Sequence, residues 1–221
     1  MRTANRLVPF LLIAAAVMFA RAPFLVQAAP NEATMGVIWK IFYFHVPSAI
    51  MTFLAAFVCG IASAVFLWRR SRFADHVAVS AAELAVVFGL IVLVTGPLWA
   101  RKAWGVSWEW DARLTMTLVM WMIFVAYLML RRFGGPGSEI LAAAVSIFGM
   151  ALVPFVYISV NIWRTHHPQA TVIKTLPASM SGPLYWAMLA FVILFVPLLI
   201  TRIRLEASRA VLEEAYASLE D

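Results

Sequence analysis

The chain has 221 residues, of which 64% are hydrophobic and 13% charged, with 17 Lys and Arg against 11 Asp and Glu for a net charge of +6. Soluble domains carry about 25% charged residues, so a water-facing globular fold is excluded, and a mean hydropathy of +0.90 points to a polytopic membrane protein. The positive charges sit in small groups beside apolar runs rather than in a stripe, which excludes a nucleic-acid surface. A single cysteine, Cys59, excludes disulfide and CxxC thiol chemistry within the chain.

Backbone polar groups in hydrocarbon must be paired within the spanning structure, which leaves helices or a closed barrel. The apolar runs are too continuous for the alternating pattern of barrel strands. The expected fold class is therefore all-α, a polytopic integral membrane protein with spans at Leu7–Ala29, Phe42–Trp68, Val77–Trp99, Leu114–Leu130, Ile140–Val160 and Leu184–Thr201. The first span is irregular. Arg21 and Pro23 interrupt it, and Val26-Gln27-Ala28 after the basic start Arg2, Arg6 has the look of a small-residue cleavage site. We read it as a retained anchor, whose removal would leave five spans and change nothing about the outer loops.

Ten of the 17 Lys and Arg fall in the N-terminus, the loops at 69–76 and 131–139 and the tail, which makes both termini cytoplasmic. The other seven lie on the outer side. That bias is modest, and cations kept outside call for another cause, such as an anionic ligand. The expected organisation is a six-span membrane domain over 1–201 with an outer tryptophan loop at about 99–115, then a cytoplasmic amphipathic tail helix over 202–221. No glycine-rich phosphate loop or GxSxG elbow supports ATP or serine hydrolysis.

Of the histidines, His76 beside Asp75 reads as a solvated inner-loop residue. The others fall on the outer side. His45 stands in Phe42-Tyr43-Phe44-His45-Val46-Pro47 at the mouth of the second span, and His166 and His167 in Asn161-Ile162-Trp163-Arg164-Thr165-His166-His167-Pro168. Imidazole is a usual haem-iron ligand and a common metal ligand generally. Residence at headgroup level, as for interfacial Trp and Tyr, accounts for one such histidine. Two separate sites flanking a tryptophan-rich loop favour ligation instead, because ionisable groups at membrane depth are functional by default. Pro47 frees a local carbonyl and fixes the backbone beside His45. Zinc needs a fuller set of N, S or O ligands than outer loops with no cysteine and only Glu32, Glu109 and Asp111 provide, whereas two axial nitrogens satisfy a porphyrin iron.

Four of the nine tryptophans fall between Trp99 and Trp110. Taken as a helix, Trp104, Trp108 and Asp111 share one face. Flat rings suit a flat ligand, each ring pair adding about 0.5–1.5 kcal/mol beyond area burial. Arg101, Lys102 and Arg113 suit carboxylates on that ligand through charge-assisted bonds. Asp111 is expected either to orient Arg113 or to cap the next helix, where Asp is favoured. An aromatic belt would not by itself put four tryptophans in one short loop with Gly105 and Asp111 interleaved.

The stretch Trp104-Gly105-x-x-Trp108-x-Trp110-Asp111-x-Arg113-Leu114-Thr115 resembles the WWD signature of the haem-handling membrane proteins of cytochrome c biogenesis. With six spans, His45 before Pro47 and His167 four residues after Trp163, the chain from about Met35 to Thr201 resembles the haem exporter protein C (CcmC) family. That resemblance implies a carrier rather than an enzyme: a bacterial inner-membrane protein that binds b-type haem non-covalently at its periplasmic face. Haem would pass to a periplasmic chaperone, CcmE, beside the ABC-transporter-like CcmA and CcmB and a small membrane helper, CcmD. Any covalent attachment of haem to the chaperone would take place on this chain's surface. The resemblance further implies axial ligation by His45 and His167, with His166 as the alternative to His167. Trp104, Gly105, Trp108, Trp110 and Asp111 would hold the porphyrin edge, and Arg113 and Arg101 the propionates.

Three rivals fit less well. A cytochrome c synthase subunit of the simpler biogenesis system, which shares the WWD segment, resembles longer chains with histidine pairs inside the membrane. A b-type electron-transfer cytochrome also needs mid-membrane histidines, which no predicted span has. A small-solute transporter needs broken helices with polar centres, and Glu83 is the only acidic residue inside a predicted span.

Overall fold

The computed structural model describes residues 2–168 and 172–220; the side chains of Arg2 and Arg6, and Asp221 at the end of the expected tail, lie outside the described residues. Six long helices account for most of the chain: α1 Arg2–Ala28, α2 Phe42–Arg69, α3 Arg72–Trp104, α4 Ala112–Phe133, α5 Ser138–Ile162 and α7 Ala178–Glu220. A helical turn, α6 Val172–Thr175, precedes the last of them, and a 3-10 turn at Val37–Ile41 leads into α2. All six long helices are long and apolar enough to cross a membrane. The chain is thus an all-α, multi-pass membrane protein. Short connections make successive helices run in opposite directions, so the starts of α2, α4 and α7 and the ends of α1, α3 and α5 gather at one end of the bundle.

Local signals set the helix limits. Ser71 accepts a hydrogen bond from the Ala74 amide at 3.3 Å and caps α3. The connection from α2 therefore contracts to Arg70 and Ser71, and His76 lies inside α3 rather than in a loop. Arg21 and Pro23 do not break α1. Its buried Ala15, Met18, Ala22 and Val26 form a stripe at helical spacing, Arg21 faces outward, and Trp186 of α7 donates to the Met18 carbonyl at 3.0 Å. The tail is helical but is no separate element: α7 continues through Thr201 as a single helix of 43 residues, about 65 Å at 1.5 Å per residue.

Small side chains let α2 and α3 approach closely, with Ala55, Ala56, Cys59 and Ala62 against Ala78, Ala81, Ala82 and Ala85. At Gly60 a Cβ would stand 2.5 Å from the Met150 Cβ, so α5 is just as near. The Ser63 and Ser146 hydroxyls bond across that seam at 2.7 Å. α4 contributes Met120, Phe124 and Tyr127, an i, i+4, i+7 stripe that begins only at its ninth residue. Residues 112–119, before that stripe, include no buried residue, and that gap is where the bundle opens.

Candidate functional site

The tryptophan segment is a loop, shorter than the expected 99–115 and confined to residues 105–111, and the helical spacing of Trp104, Trp108 and Asp111 is not realised. α3 stops at Trp104 because Gly105 adopts φ +80°, a left-handed conformation that glycine takes without steric cost. α4 begins after Asp111, whose Oδ1 accepts from the Leu114 amide at 2.7 Å. Two helix-ending signals thus bracket residues 105–111. The loop still turns Trp104 and Trp108 inward, where both line a cavity. Trp110 packs edge-on against Trp108 at 5.7 Å but is 77% exposed. Arg101 is exposed as well, and neither Trp110 nor Arg101 reaches the cavities described next.

Two cavities flank one shared wall. The larger, about 340 Å³, lies between α2, α5 and α6, with Phe42, Val46, Ile50, Tyr157 and Lys174 on its far sides. The narrower, about 70 Å³, lies between α2, α3, α4 and the tryptophan loop, and runs inward past Trp104 and Trp108 to Gly89, Met120 and Trp121. His45, Phe53, Trp99, Arg113 and His167 line both. His45, Arg113 and His167 are therefore brought together from α2, α4 and the loop after α5, while Arg101, also expected to meet carboxylates, stays outside.

The tautomer of each histidine follows from its partner. Thr95 donates its hydroxyl proton to the Ile91 carbonyl at 2.7 Å. Its oxygen, 2.9 Å from His45 Nδ1, is left to accept, so Nδ1 carries the proton and Nε2 keeps its lone pair. The His45 ring is 7% exposed and meets Trp99 edge-on at 5.9 Å. His167 Nδ1 lies 2.8 Å from the Pro168 carbonyl, which can only accept, so its Nε2 is free as well. Burial pushes the His167 pKa down to about 4, with the Arg113 charge acting in the same direction. At neutral pH His167 is an uncharged imidazole, the form that binds a metal.

His166 behaves differently. Its Nδ1 pairs with Glu109 Oε2 at 2.7 Å, its side chain is 62% exposed, and its ring leans on Trp104 at 5.9 Å. It lines neither cavity.

Arg113 donates through Nη1 to the Val156 carbonyl. Among the described residues no carboxylate forms a salt bridge with it. Asp111 does not orient it by a direct bond, because its oxygens accept from the Leu114 amide and from Thr165 Oγ1. Of the two expected jobs of Asp111, the cap is the one observed. Trp108 Nε1 is buried with no hydrogen-bond partner among the described residues, and an orphaned buried donor is costly unless a ligand meets it. Among the described residues no group of three or more His, Cys, Asp or Glu gathers as a zinc site requires. Two free imidazole nitrogens, an unpaired guanidinium and apolar rings on one cavity wall suit a flat, apolar, metal-bearing ligand with anionic groups. Tyr157 and Lys174 line the larger cavity, and Thr95 and Thr165 bond to the two histidines; the sequence singled out none of them, beyond counting Lys174 among the seven outer cations.

A family model described as heme exporter protein C matches residues 1–218. Heme exporter protein C of Bradyrhizobium diazoefficiens is 34% identical over 210 residues, covering 92% of this chain and 80% of the relative. Its counterpart in Escherichia coli K12 is 31% identical over 183 residues, covering 80% and 73%. That of Paracoccus denitrificans is 29% identical over 216 residues, covering 95% and 90%.

Proposed function

Because this chain belongs to the heme exporter protein C (CcmC) family, we propose that it handles haem for cytochrome c maturation, holding b-type haem non-covalently at the open end of its bundle and presenting it for transfer. The observation that carries this reading is the pair of histidines on one cavity wall, both with Nδ1 protonated and Nε2 free. Haem, when bound, would supply an iron that takes imidazole nitrogens as ligands, and His45 and His167 are the residues that would hold it. Trp104 and Trp108 offer aromatic faces and edges to the macrocycle, and Trp108 Nε1 offers a donor. Arg113, held in place by the Val156 carbonyl, supplies charge-assisted bonds to the propionates. His166, paired with Glu109 outside the cavities, is not one of the ligands in this reading.

In this reading the chain acts as a carrier rather than an enzyme. The charge bias along the sequence supports a bacterial inner-membrane protein with both termini cytoplasmic and this site on the periplasmic face. The partners that fit are a periplasmic haem chaperone (CcmE), the ABC-transporter-like CcmA and CcmB, and the small helper CcmD. The test is the visible spectrum of the purified, haem-loaded protein. His45→Ala and His167→Ala each weaken the bound-haem absorbance, and the double replacement abolishes it. An unaltered spectrum in the double variant overturns the ligand assignment.

A further inference from the structure

We propose that Thr95 and Thr165 are positioning residues for the two histidines, a proposal that rests on reading His45 and His167 as the iron ligands. A threonine hydroxyl has one proton to give and lone pairs to receive with. Thr95 gives its proton to the Ile91 carbonyl, and Thr165 gives its proton to Asp111 Oδ2. Both are thereby left as pure acceptors toward a histidine. Thr95 receives the Nδ1–H of His45; Thr165 receives the backbone N–H of His167 at 3.0 Å.

The two bonds act on different parts of their histidines. Thr95 holds the ring itself, so it fixes the tautomer and ring plane and makes Nε2 more basic, as outer-shell acceptors do for ligating imidazoles. Gly96, next to Thr95, lies against the same ring, where a Cβ would make ordinary van der Waals contact with His45 Cε1 at 3.4 Å. Thr165 instead holds the backbone, while the His167 ring gives its Nδ1–H to Pro168. Through Thr165 the last residue of the tryptophan segment reaches the second histidine. Asp111 caps α4 with one oxygen and anchors the His167 loop with the other.

A Thr hydroxyl bonded to the carbonyl four residues back is common in helices, so a purely structural role is the alternative to exclude. The experiment measures haem dissociation constant, dissociation rate and reduction potential on the full-length protein, for Thr95→Val, Thr95→Ser, Thr95→Ala and Thr165→Val. Thr95→Val and Thr95→Ala lower haem affinity about 10- to 100-fold and shift the reduction potential upward, because His45 donates less strongly; Thr95→Ser restores both. Thr165→Val speeds haem dissociation by a similar factor and leaves the potential where it was, since the ring bond of His167 is intact. The proposal fails if Thr95→Ala or Thr95→Val, with a wild-type unfolding temperature, keeps both potential and affinity, or if Thr95→Ser does not restore them. It fails too if Thr165→Val keeps the wild-type dissociation rate. A His45→Ala protein with an unchanged spectrum sinks the ligand assignment itself, which is a separate result.

Discussion

At the end of the bundle where α2 passes into α3, alanines face alanines, and ion pairs fasten the helices. Asp75 accepts from Arg131 at 2.6 Å, Glu83 from Arg202 and Glu214 from Arg72. At the other end, where α3 gives way to the tryptophan loop, residues 112–119 of α4 include no buried residue. There, among the described residues, the buried polar atoms Trp108 Nε1 and Thr115 Oγ1 lack partners, and Arg113 faces two cavities with no salt bridge to a carboxylate. One helix shows both behaviours within 22 residues: α4 is core from Met120 onward and cavity wall before it. Tight packing of small side chains gives a rigid base. The unfilled polar capacity at the opposite end is what a ligand would satisfy.

Four changes would break or sharpen that contrast. The largest effect belongs to the closed end. Phe124→Ala, in the core, should cost about 3–5 kcal/mol of stability, seen as a lowered unfolding temperature in detergent, with haem lost only as the fold is lost. Next, replacing Trp104 and Trp108 together with Ala should weaken haem binding about tenfold, from roughly 0.5–1.5 kcal/mol of ring interaction apiece, while the unfolding temperature of the haem-free protein stays put. If haem-free stability fell as well, the tryptophans would be core and the contrast would blur. Asp111→Ala removes the α4 cap, worth about 0.5–2 kcal/mol, and also frees the His167 loop, so haem should dissociate faster than stability alone explains. Smallest is Arg202→Ala. Its ion pair with Glu83 is about one-third exposed, and pairs of that kind contribute about 0–1 kcal/mol, with no change in haem occupancy.

The sequence carried the six helices and their approximate limits, because continuous apolar runs in lipid have few alternatives. It also brought His45, His167, Trp104, Trp108 and Arg113 to one end, since helix direction alternates along the chain. Several things were beyond it. The spacing of Trp104, Trp108 and Asp111 satisfies a helical period, yet Gly105 and Asp111 end and start helices, and the local stop signals outweigh the period. Nothing breaks the chain between the last span and its tail, so α7 runs on through charges that suggested a separate surface helix. His166 and His167 are neighbours in sequence, and only the fold shows that one pairs with Glu109 while the other turns inward. Thr95 and Thr165 are single hydroxyls in unremarkable settings; their importance rests on partners 50 residues away in one case and on Asp111, 54 residues away, in the other.

In the proposed reading, His45 and His167 bind one iron between them. Electron paramagnetic resonance of the ferric, haem-loaded protein tests it most directly. The expected result is a low-spin bis-imidazole signal in the wild type that turns high-spin when either histidine is replaced by alanine. A high-spin wild-type signal, or a low-spin signal that survives replacement of both, would contradict it.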